Sequence, residues 1–276
     1  MIVTKLKLAK KIKPKKINLK NILFIFLLAF GPYLSSDSLM TAIESENRDL
    51  KNLVRDEYRH PYETLSFFGI EPSMTVVELS PGSGWYTEIL ANYLKNSGLL
   101  IAAHFDKNSK NNYFKKSRVN FEKKMNGSQI YEQVKIVNLT SSLSAPQTVD
   151  AVLTFRNLHN WLGPTMDSIF ANTFKTLKPG GIFGVVEHRA KVGTSMSMMK
   201  KSGYVTEEHA IEIAKKHGFQ LVAKSEVNAN PKDTKNHPKG VWTLPPSLRL
   251  KEQNKKKYLA IGESDRMTLL FKKPLK

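Results

Sequence analysis

Short apolar runs alternate with amphipathic stretches along the chain from residue 75 onward. A short apolar run favours a buried strand, and apolar positions that recur about every 3.6 residues favour a helix. The predicted strands are 76–79, 98–106, 134–138, 149–155, 182–187, 219–227 and 266–272. The predicted helices are 47–58, 63–68, 84–95, 113–125, 165–177 and 206–216. This alternation predicts an α/β fold in which helices cover both faces of a mostly parallel sheet.

Two long segments, Arg189–Gly203 and Asn228–Arg249, show neither periodicity. Each follows a predicted strand whose carboxyl end faces the ligand side of an open α/β sheet. Connections of this length in a compact domain are typically lids or disordered. The methionines of the first segment either cover a hydrophobic acceptor or pack against the sheet edge.

A small-residue loop joins the first predicted strand to a helix. The strand carries Glu78 near its end, and the sequence Ser-Pro-Gly-Ser-Gly follows at 80–84. Gly82 and Gly84 allow positive φ and close backbone approach, while the N-terminus of the helix suits a carboxylate or phosphate. A tight strand-to-helix turn without any ligand has the same layout. The loop alone leaves both interpretations open.

Polar side chains also follow the next three predicted strands. Because the carboxyl ends of parallel strands meet at one edge, these side chains are candidates for one site. A Lys-Pro-Gly-Gly turn at 178–181 precedes the fifth strand. The candidates are His104, Asp106, Asn138, Arg156, Asn157 and His159.

These motifs, taken in order, resemble those of the class I S-adenosylmethionine-dependent methyltransferases over roughly residues 55–275. The resemblance implies a Rossmann-like class I methyltransferase fold with a seven-stranded, mostly parallel sheet whose seventh strand is antiparallel. It also implies S-adenosyl-L-methionine as the cofactor. The cofactor-binding residues that it implies are Glu78, Ser80, Gly82, Gly84, His104, Asp106, Asn138 and Asn157.

The chain departs from the family pattern at two places. Ser80 stands where the first glycine of the loop is usual, and His104 occupies the slot of the acid that binds the cofactor ribose. Asp106 follows two residues later, and Asn138 lies where the family contacts the adenine amine. The amino-acid sequences of three segments resemble those of a bacterial group of predicted methyltransferases that carry export signals. The segments are 59–62, 155–161 and 228–233.

His159 is the candidate catalytic residue. A neutral imidazole just past the fourth strand is able to act as a base near the methyl acceptor. The alternative is a hydrogen-bonded histidine that holds the loop at 157–161. His159 and His188 have no further ligands at the spacing of a metal site, so no metal is expected.

Arg156 is the charged residue beside this apolar strand end. It either binds an acidic acceptor or pairs with Glu187 or Asp150. The expected reaction is SN2 transfer of the sulfonium methyl group to a small-molecule acceptor, with catalysis mainly from proximity and alignment.

Two other classes of function stay open. A non-catalytic, methyltransferase-like binding protein of the cell envelope has the same motifs. A dinucleotide-dependent oxidoreductase is disfavoured, because Gly82 and Gly84 are followed by no third glycine or alanine at the required place.

The N-terminal region predicts export. Eight lysines and no acidic residue lie within the first 20 residues, and a 13-residue apolar segment follows at 22–34. This layout is typical of a secretory signal peptide, with an uncleaved membrane anchor as the alternative. The predicted organisation is residues 1–38 as signal peptide or anchor and 39–276 as the methyltransferase domain. The protein is then periplasmic, or held at the inner membrane by residues 22–34.

The charge of the rest of the chain is less informative. The net charge of +19 falls to +11 without those eight lysines, which fits a lysine-rich solvated surface better than a nucleic-acid site. No basic-aromatic motif is present, so nucleic acid is not an expected partner. The chain has no cysteine, which excludes disulfides and thiolate metal sites.

Overall fold

A computed structural model of the protein describes residues 38–275. Its centre is a seven-stranded sheet with the order β3-β2-β1-β4-β5-β7-β6. The strand β7 pairs antiparallel with β5 and β6, and the other neighbours pair parallel, as predicted. The strands are β1 Thr75–Leu79, β2 Leu99–His104, β3 Lys135–Asn138, β4 Val149–Phe155, β5 Leu177–His188, β6 Gln220–Ser225 and β7 Arg266–Lys272.

Helices cover both faces of this sheet. They are α1 Leu50–Leu53, α2 Asp56–Arg59, α3 Pro61–Phe67, α4 Trp85–Leu94, α5 Asn112–Met125, α6 Leu158–Trp161, α7 Pro164–Thr176, α8 Met196–Ser202, α9 Glu207–Lys216 and α10 Lys255–Ile261. Residues 38–43 are helical as well. Single turns of 3-10 helix occur at Gln129–Tyr131 and Gly240–Thr243.

The sheet separates two hydrophobic clusters. Val77 and Leu79 belong to the cluster that contains Phe170 of α7, whereas Val76 belongs to the cluster that contains Ile89 of α4. Alternate residues of a strand point to opposite faces, so β1 contributes to both cores. The carboxyl end of β1 is thereby fixed beside those of β2 and β4, where Leu79 pairs with Ala103 and Thr154.

Two predicted elements differ in detail. The helix predicted over 47–58 is two short helices, α1 and α2, separated by Val54 and Arg55. The segment Arg189–Gly203, predicted to be without periodicity, contains α8, whose N-cap Ser195 accepts a hydrogen bond from the backbone N–H of Met198. A seven-residue helix is too short to produce a clear periodic pattern.

No helix within residues 38–275 is long and apolar enough to cross a membrane. The apolar segment predicted at 22–34 lies outside the described residues.

Candidate functional site

Two cavities open at the carboxyl edge of the parallel strands and share Ser80 and Asn157 as lining residues. The first, here the arginine cavity, has a volume of about 310 Å³ and is lined by Arg55, Arg59, Arg156 and Arg266 among others. The second, here the aromatic cavity, has a volume of about 350 Å³ and is lined by Phe105, Tyr113, Phe114 and Trp161 among others. The loop after β1 therefore lies at the junction of a cationic and an apolar space.

The loop at 80–84 has the backbone conformation that its glycines predict. Ser80, Gly82 and Gly84 have φ values of 49°, 61° and 84°. Ser80 thus adopts the left-handed conformation expected of the glycine it replaces, and its N–H donates to Ala103 O at 2.8 Å. Its hydroxyl is buried with no hydrogen-bond partner within residues 38–275.

The two glycines of the loop differ in what they face. Gly82 lines the arginine cavity, and a Cβ added there meets no atom within 4 Å. A Cβ at Gly84 would instead meet Phe121 at 3.3 Å and Thr87 at 3.4 Å. Gly84 is the N-cap of α4 and provides no side-chain cap. Only Gly82 of the two thus borders a ligand-sized space.

Glu78 lies beneath the loop and outside the lining of both cavities. Its Oε2 accepts a hydrogen bond from Thr87 Oγ1 at 2.6 Å, which ties β1 to the first turn of α4. Burial raises the pKa of Glu78 to about 7, against the opposing effects of Thr87, Lys124 and Arg156. Glu78 therefore supports the loop from behind.

His104, predicted to occupy the ribose-binding position, uses both ring nitrogens in contacts with the protein. Its Nδ1 accepts a hydrogen bond from the Phe105 N–H at 2.7 Å, and its Nε2 lies 3.1 Å from Gly82 O. The ring is therefore the neutral tautomer that carries its proton on Nε2. Burial lowers the pKa of His104, which favours this neutral form. His104 lies outside both cavity linings and instead holds the loop by its Gly82 carbonyl.

Asp106 and Asn138 also face each other instead of a cavity. Asn138 Nδ2 donates to Asp106 Oδ1 at 3.3 Å, and Asn138 Oδ1 accepts from Arg118 at 3.1 Å. Arg118 also donates to Phe105 O at 2.8 Å. Neither Asp106 nor Asn138 lines either cavity, and the ribose and adenine contacts stay predictions. The residues after these strands that do line the aromatic cavity include Phe105 and Leu139.

Asn157 occupies the predicted position in the site. Its Nδ2 donates to Leu79 O at 3.1 Å and to Ser80 O at 3.3 Å, and it lies 3.2 Å from Thr154 Oγ1. These bonds join the ends of β1 and β4. Its Oδ1 has no hydrogen-bond partner within the described residues and is able to accept one from a ligand in either cavity.

His159 lines the arginine cavity and is paired with a buried carboxylate. Its Nδ1 lies 3.0 Å from Oε1 of Glu187, the penultimate residue of β5. The Glu187 side chain is 0% exposed and that of His159 is 8% exposed. With its proton on Nδ1, the imidazole donates to Glu187 and keeps Nε2 as an acceptor. This arrangement serves a general base and also anchors the loop at 157–161.

Glu187 also brings His159 and His188 together. One ligand atom from each of the three residues lies within 4.8 Å of the others, so the group could hold a metal ion. The expectation of no metal overlooked Glu187 as a third ligand; it stays a prediction. The four arginines of the arginine cavity, which His159 and His188 also line, disfavour a cation there. Burial together with His159 and Arg266 lowers the pKa of His188 well below its usual value, so His188 is neutral.

Arg156, a candidate from the sequence, lies at the arginine cavity. It lines the arginine cavity with φ 62° and forms no ion pair within residues 38–275. The pairings considered with Glu187 and Asp150 do not form, because Glu187 pairs with His159 and Asp150 with Lys178. The sequence reasoning missed Arg55, Arg59 and Arg266 as site residues, since they lie far from the strand-end motifs.

The predicted lid segments differ in position. Trp242, Pro245, Pro246 and Ser247 of the segment Asn228–Arg249 line the arginine cavity. The segment Arg189–Gly203 contributes no residue to that lining. One of the two segments thus forms a wall of the site.

Comparison with known proteins establishes the fold. No protein-family model matches the chain, and no curated protein matches it in sequence. A SAM-dependent methyltransferase from Aquifex aeolicus superimposes with a TM-score of 0.55 and 14% identity over 84% of this chain and 97% of that chain. Geranyl diphosphate C-methyltransferase from Streptomyces coelicolor A3(2), in complex with Mg²⁺, geranyl-S-thiolodiphosphate and S-adenosyl-L-homocysteine, gives 0.55 and 11% over 84% of each chain.

The [4+2]-cyclase SpnF is similar to the same degree, with a TM-score of 0.55 and 14% identity over 84% of this chain and 86% of that chain. The chain thus has the Rossmann-like class I methyltransferase fold. A cyclase among the similar structures illustrates that a fold does not define the reaction, which has to be argued from the site.

Proposed function

We propose that the protein transfers a methyl group from S-adenosyl-L-methionine to a small-molecule acceptor. The observation that carries this proposal is the pair of cavities that meet at Ser80 and Asn157, at the ligand edge of this fold. The aromatic cavity suits an adenosine group. The loop at 80–84 and the uncapped N-terminus of α4 suit the methionine carboxylate.

The chemistry that the cofactor supplies is an electrophilic methyl group on a sulfonium. Bound S-adenosyl-L-methionine would supply this methyl group and leave as S-adenosyl-L-homocysteine, and the residues of the two cavities would align donor and acceptor. The 3.0 Å contact between His159 Nδ1 and Glu187 Oε1 supports a role for His159 as the base that takes a proton from the acceptor, because it orients the imidazole. A histidine that only holds the loop at 157–161 would make the same contact with Glu187, so a His159 variant is needed to distinguish the two roles.

Calorimetry on the full-length protein tests the proposal. We expect S-adenosyl-L-methionine and S-adenosyl-L-homocysteine to bind in the micromolar range. Heat from a nicotinamide dinucleotide, with none from either of these two ligands, would overturn the proposal. A protein that binds the donor yet labels nothing in a lysate supplied with methyl-labelled donor is the non-catalytic envelope protein.

Gly82→Ala provides the site-specific control for this experiment. Gly82 and Gly193 both have positive φ and open space at the Cβ position, but only Gly82 lines the arginine cavity. Both alanine variants therefore carry a similar backbone strain. We expect Gly82→Ala to weaken S-adenosyl-L-homocysteine binding about tenfold, or about 1.4 kcal/mol, and Gly193→Ala to leave it unchanged.

A further inference from the structure

The arginine cavity carries more positive charge than its own residues neutralise. Four arginines line it, and Glu263 is the carboxylate among the lining residues. Arg55 Nε donates to Glu263 Oε1 at 2.6 Å, Arg266 donates to Oε2, and Arg59 Nε lies 3.6 Å from Oε2. Four guanidiniums and one carboxylate leave three positive charges in the wall of this cavity.

Several donors of these guanidiniums have no hydrogen-bond partner within the described residues, although the Arg59 guanidinium lies 4.5 Å from the centre of the Trp85 ring. Three buried donors form no hydrogen bond within residues 38–275: Arg59 Nε, Arg59 Nη1 and Arg266 Nε. The Arg59 side chain is 4% exposed and that of Arg266 is 2% exposed. Leaving charged donors buried and unsatisfied is unfavourable, and a bound anion would offset this cost. Arginine forks match the oxygen atoms of carboxylates and phosphates.

The pKa values report the same excess of charge. Burial and the neighbouring Arg156 lower the pKa of Arg59 well below its usual value, and burial with Arg266 lowers that of Arg156 to about 10. Burial alone would raise the pKa of Glu263, but the four arginines lower it to about 2. Glu263 is therefore ionised, and its single negative charge is shared among the four arginines.

The methyl donor does not remove this excess. Its methionine end carries one carboxylate, one ammonium and the sulfonium, so it brings a net positive charge into the site. Even when one arginine binds the carboxylate, at least two positive charges remain. A neutral or cationic acceptor would leave them buried and unpaired.

We propose that the methyl acceptor is a small molecule bearing a group with two or more negative charges on oxygen, bound by Arg156, Arg59 and Arg266. This inference rests on the proposed methyl transfer. A phosphate or diphosphate ester and a dicarboxylate share this chemistry. His159 lines the same cavity, so a nucleophilic atom attached to that anion lies within the space that the base also borders.

Anion binding to the protein saturated with S-adenosyl-L-homocysteine tests the inference. Inorganic phosphate, pyrophosphate, malonate and acetate are titrated by calorimetry at equal ionic strength. We expect at least one of the polyvalent anions to bind at least tenfold more tightly than acetate. Tighter binding of phosphate or pyrophosphate indicates a phosphate ester, and tighter binding of malonate indicates a dicarboxylate.

Substitution of Arg156 locates the anion. Arg156→Gln should weaken binding of the preferred anion at least tenfold, Arg156→Lys should weaken it less, and Lys116→Gln, which removes an exposed lysine of α5, should change it less than twofold. The melting temperature of each variant checks that the fold is retained. Unchanged anion affinity in a folded Arg156→Gln variant would overturn the inference.

Three further results would overturn it in distinguishable ways. If no polyvalent anion binds more tightly than acetate, or if S-adenosyl-L-homocysteine competes with the anion, the arginines serve the cofactor carboxylate and methyl transfer itself stands. If S-adenosyl-L-homocysteine gives no heat, the methyltransferase proposal fails and the acceptor assignment fails with it, whether or not the ligand-free protein binds anions.

Discussion

Two residues other than glycine adopt left-handed backbone conformations at the ligand edge. Ser80 follows β1 with φ 49°, and Arg156 follows β4 with φ 62°. Such conformations cost roughly 1 kcal/mol or more each. Both are fixed by strand-end hydrogen bonds, from Ser80 N to Ala103 O at 2.8 Å and from Arg156 N to Val186 O at 2.7 Å. The sheet thus holds strained residues where the two cavities meet.

The buried Glu78 makes stability depend on pH. Its folded pKa of about 7 lies above the ordinary 4.5, so the folded state binds more protons between these values. Stability is therefore lost as pH rises through this window. We expect the free energy of unfolding of Glu78→Gln, relative to that of wild type, to rise by about 2 to 3 kcal/mol from pH 5 to pH 8. Urea unfolding at both pH values measures this change.

The exposed Glu71 is the control for this measurement. Glu71→Gln should leave the change in the free energy of unfolding between pH 5 and pH 8 as it is in wild type. A Glu78→Gln variant whose stability follows wild type at both pH values would show that Thr87 and Lys124 already compensate the buried charge.

The role of His159 is tested by measuring cofactor binding and methyl transfer separately. If His159 is the base, His159→Ala should lower methyl transfer about 10²-fold or more while S-adenosyl-L-homocysteine binds as in wild type. A variant that binds and transfers as well as wild type would assign His159 to holding the loop at 157–161.

At the scale of elements, close packing of β5 limits substitution. A Cβ at Gly184 would lie 2.7 Å from Leu153 Cδ2 and 2.9 Å from Phe68, the C-cap residue of α3. We expect Gly184→Ala to lower the free energy of unfolding by about 1 to 3 kcal/mol, the usual range for overpacking. Chemical denaturation measures this loss.

The partner substitution Leu153→Val supplies the control. It shortens one of the two side chains that the new methyl group meets, so the double variant should be more stable than the sum of the single effects predicts. If the stability losses of Gly184→Ala and Leu153→Val simply add, the new methyl group is accommodated by a shift of β5 and not by the Leu153 side chain.

The sequence predicts the sheet better than the connections. Arg266–Lys272 is a strand with the predicted ends, and α9 begins within one residue of the predicted start at 206, where the Thr206 hydroxyl caps it by accepting from His209 N. Strand and cap signals are local, so the sequence contains them. The break between α1 and α2 and the helix α8 involve a few residues each and depend on tertiary packing.

The candidate site divides in the same way. Ser80, Gly82, Asn157 and His159 border the cavities because their positions follow from the ends of β1 and β4. His104, Asp106 and Asn138 follow strand ends equally well, yet their polar atoms are used in contacts with Gly82 O, Arg118 and one another. Which polar group finds a protein partner depends on distant side chains, and a strand-end pattern does not contain that information.

For the whole molecule, residues 1–38 are proposed to direct export. Their lysine-rich start and the apolar segment at 22–34 motivate this proposal. Fractionation of cells that express the protein with a C-terminal reporter should place the reporter in the periplasm or inner membrane. Replacing the lysines at 5–20 by glutamine should reduce export. A cytoplasmic reporter on an untrimmed chain would contradict the proposal.

The antiparallel direction of β7 has a consequence for the timing of folding. Because β7 runs opposite to β5, its first residue Arg266 pairs with His188 at the edge where the other strands end. The arginine cavity thus joins Arg55 to Glu263 across 208 positions of the chain. Contacts so distant in sequence require the closure of a very long loop. The wall of the arginine cavity is therefore complete only when β7 lies between β5 and β6, so a partly synthesised chain that lacks β7 has no Arg266 in this wall.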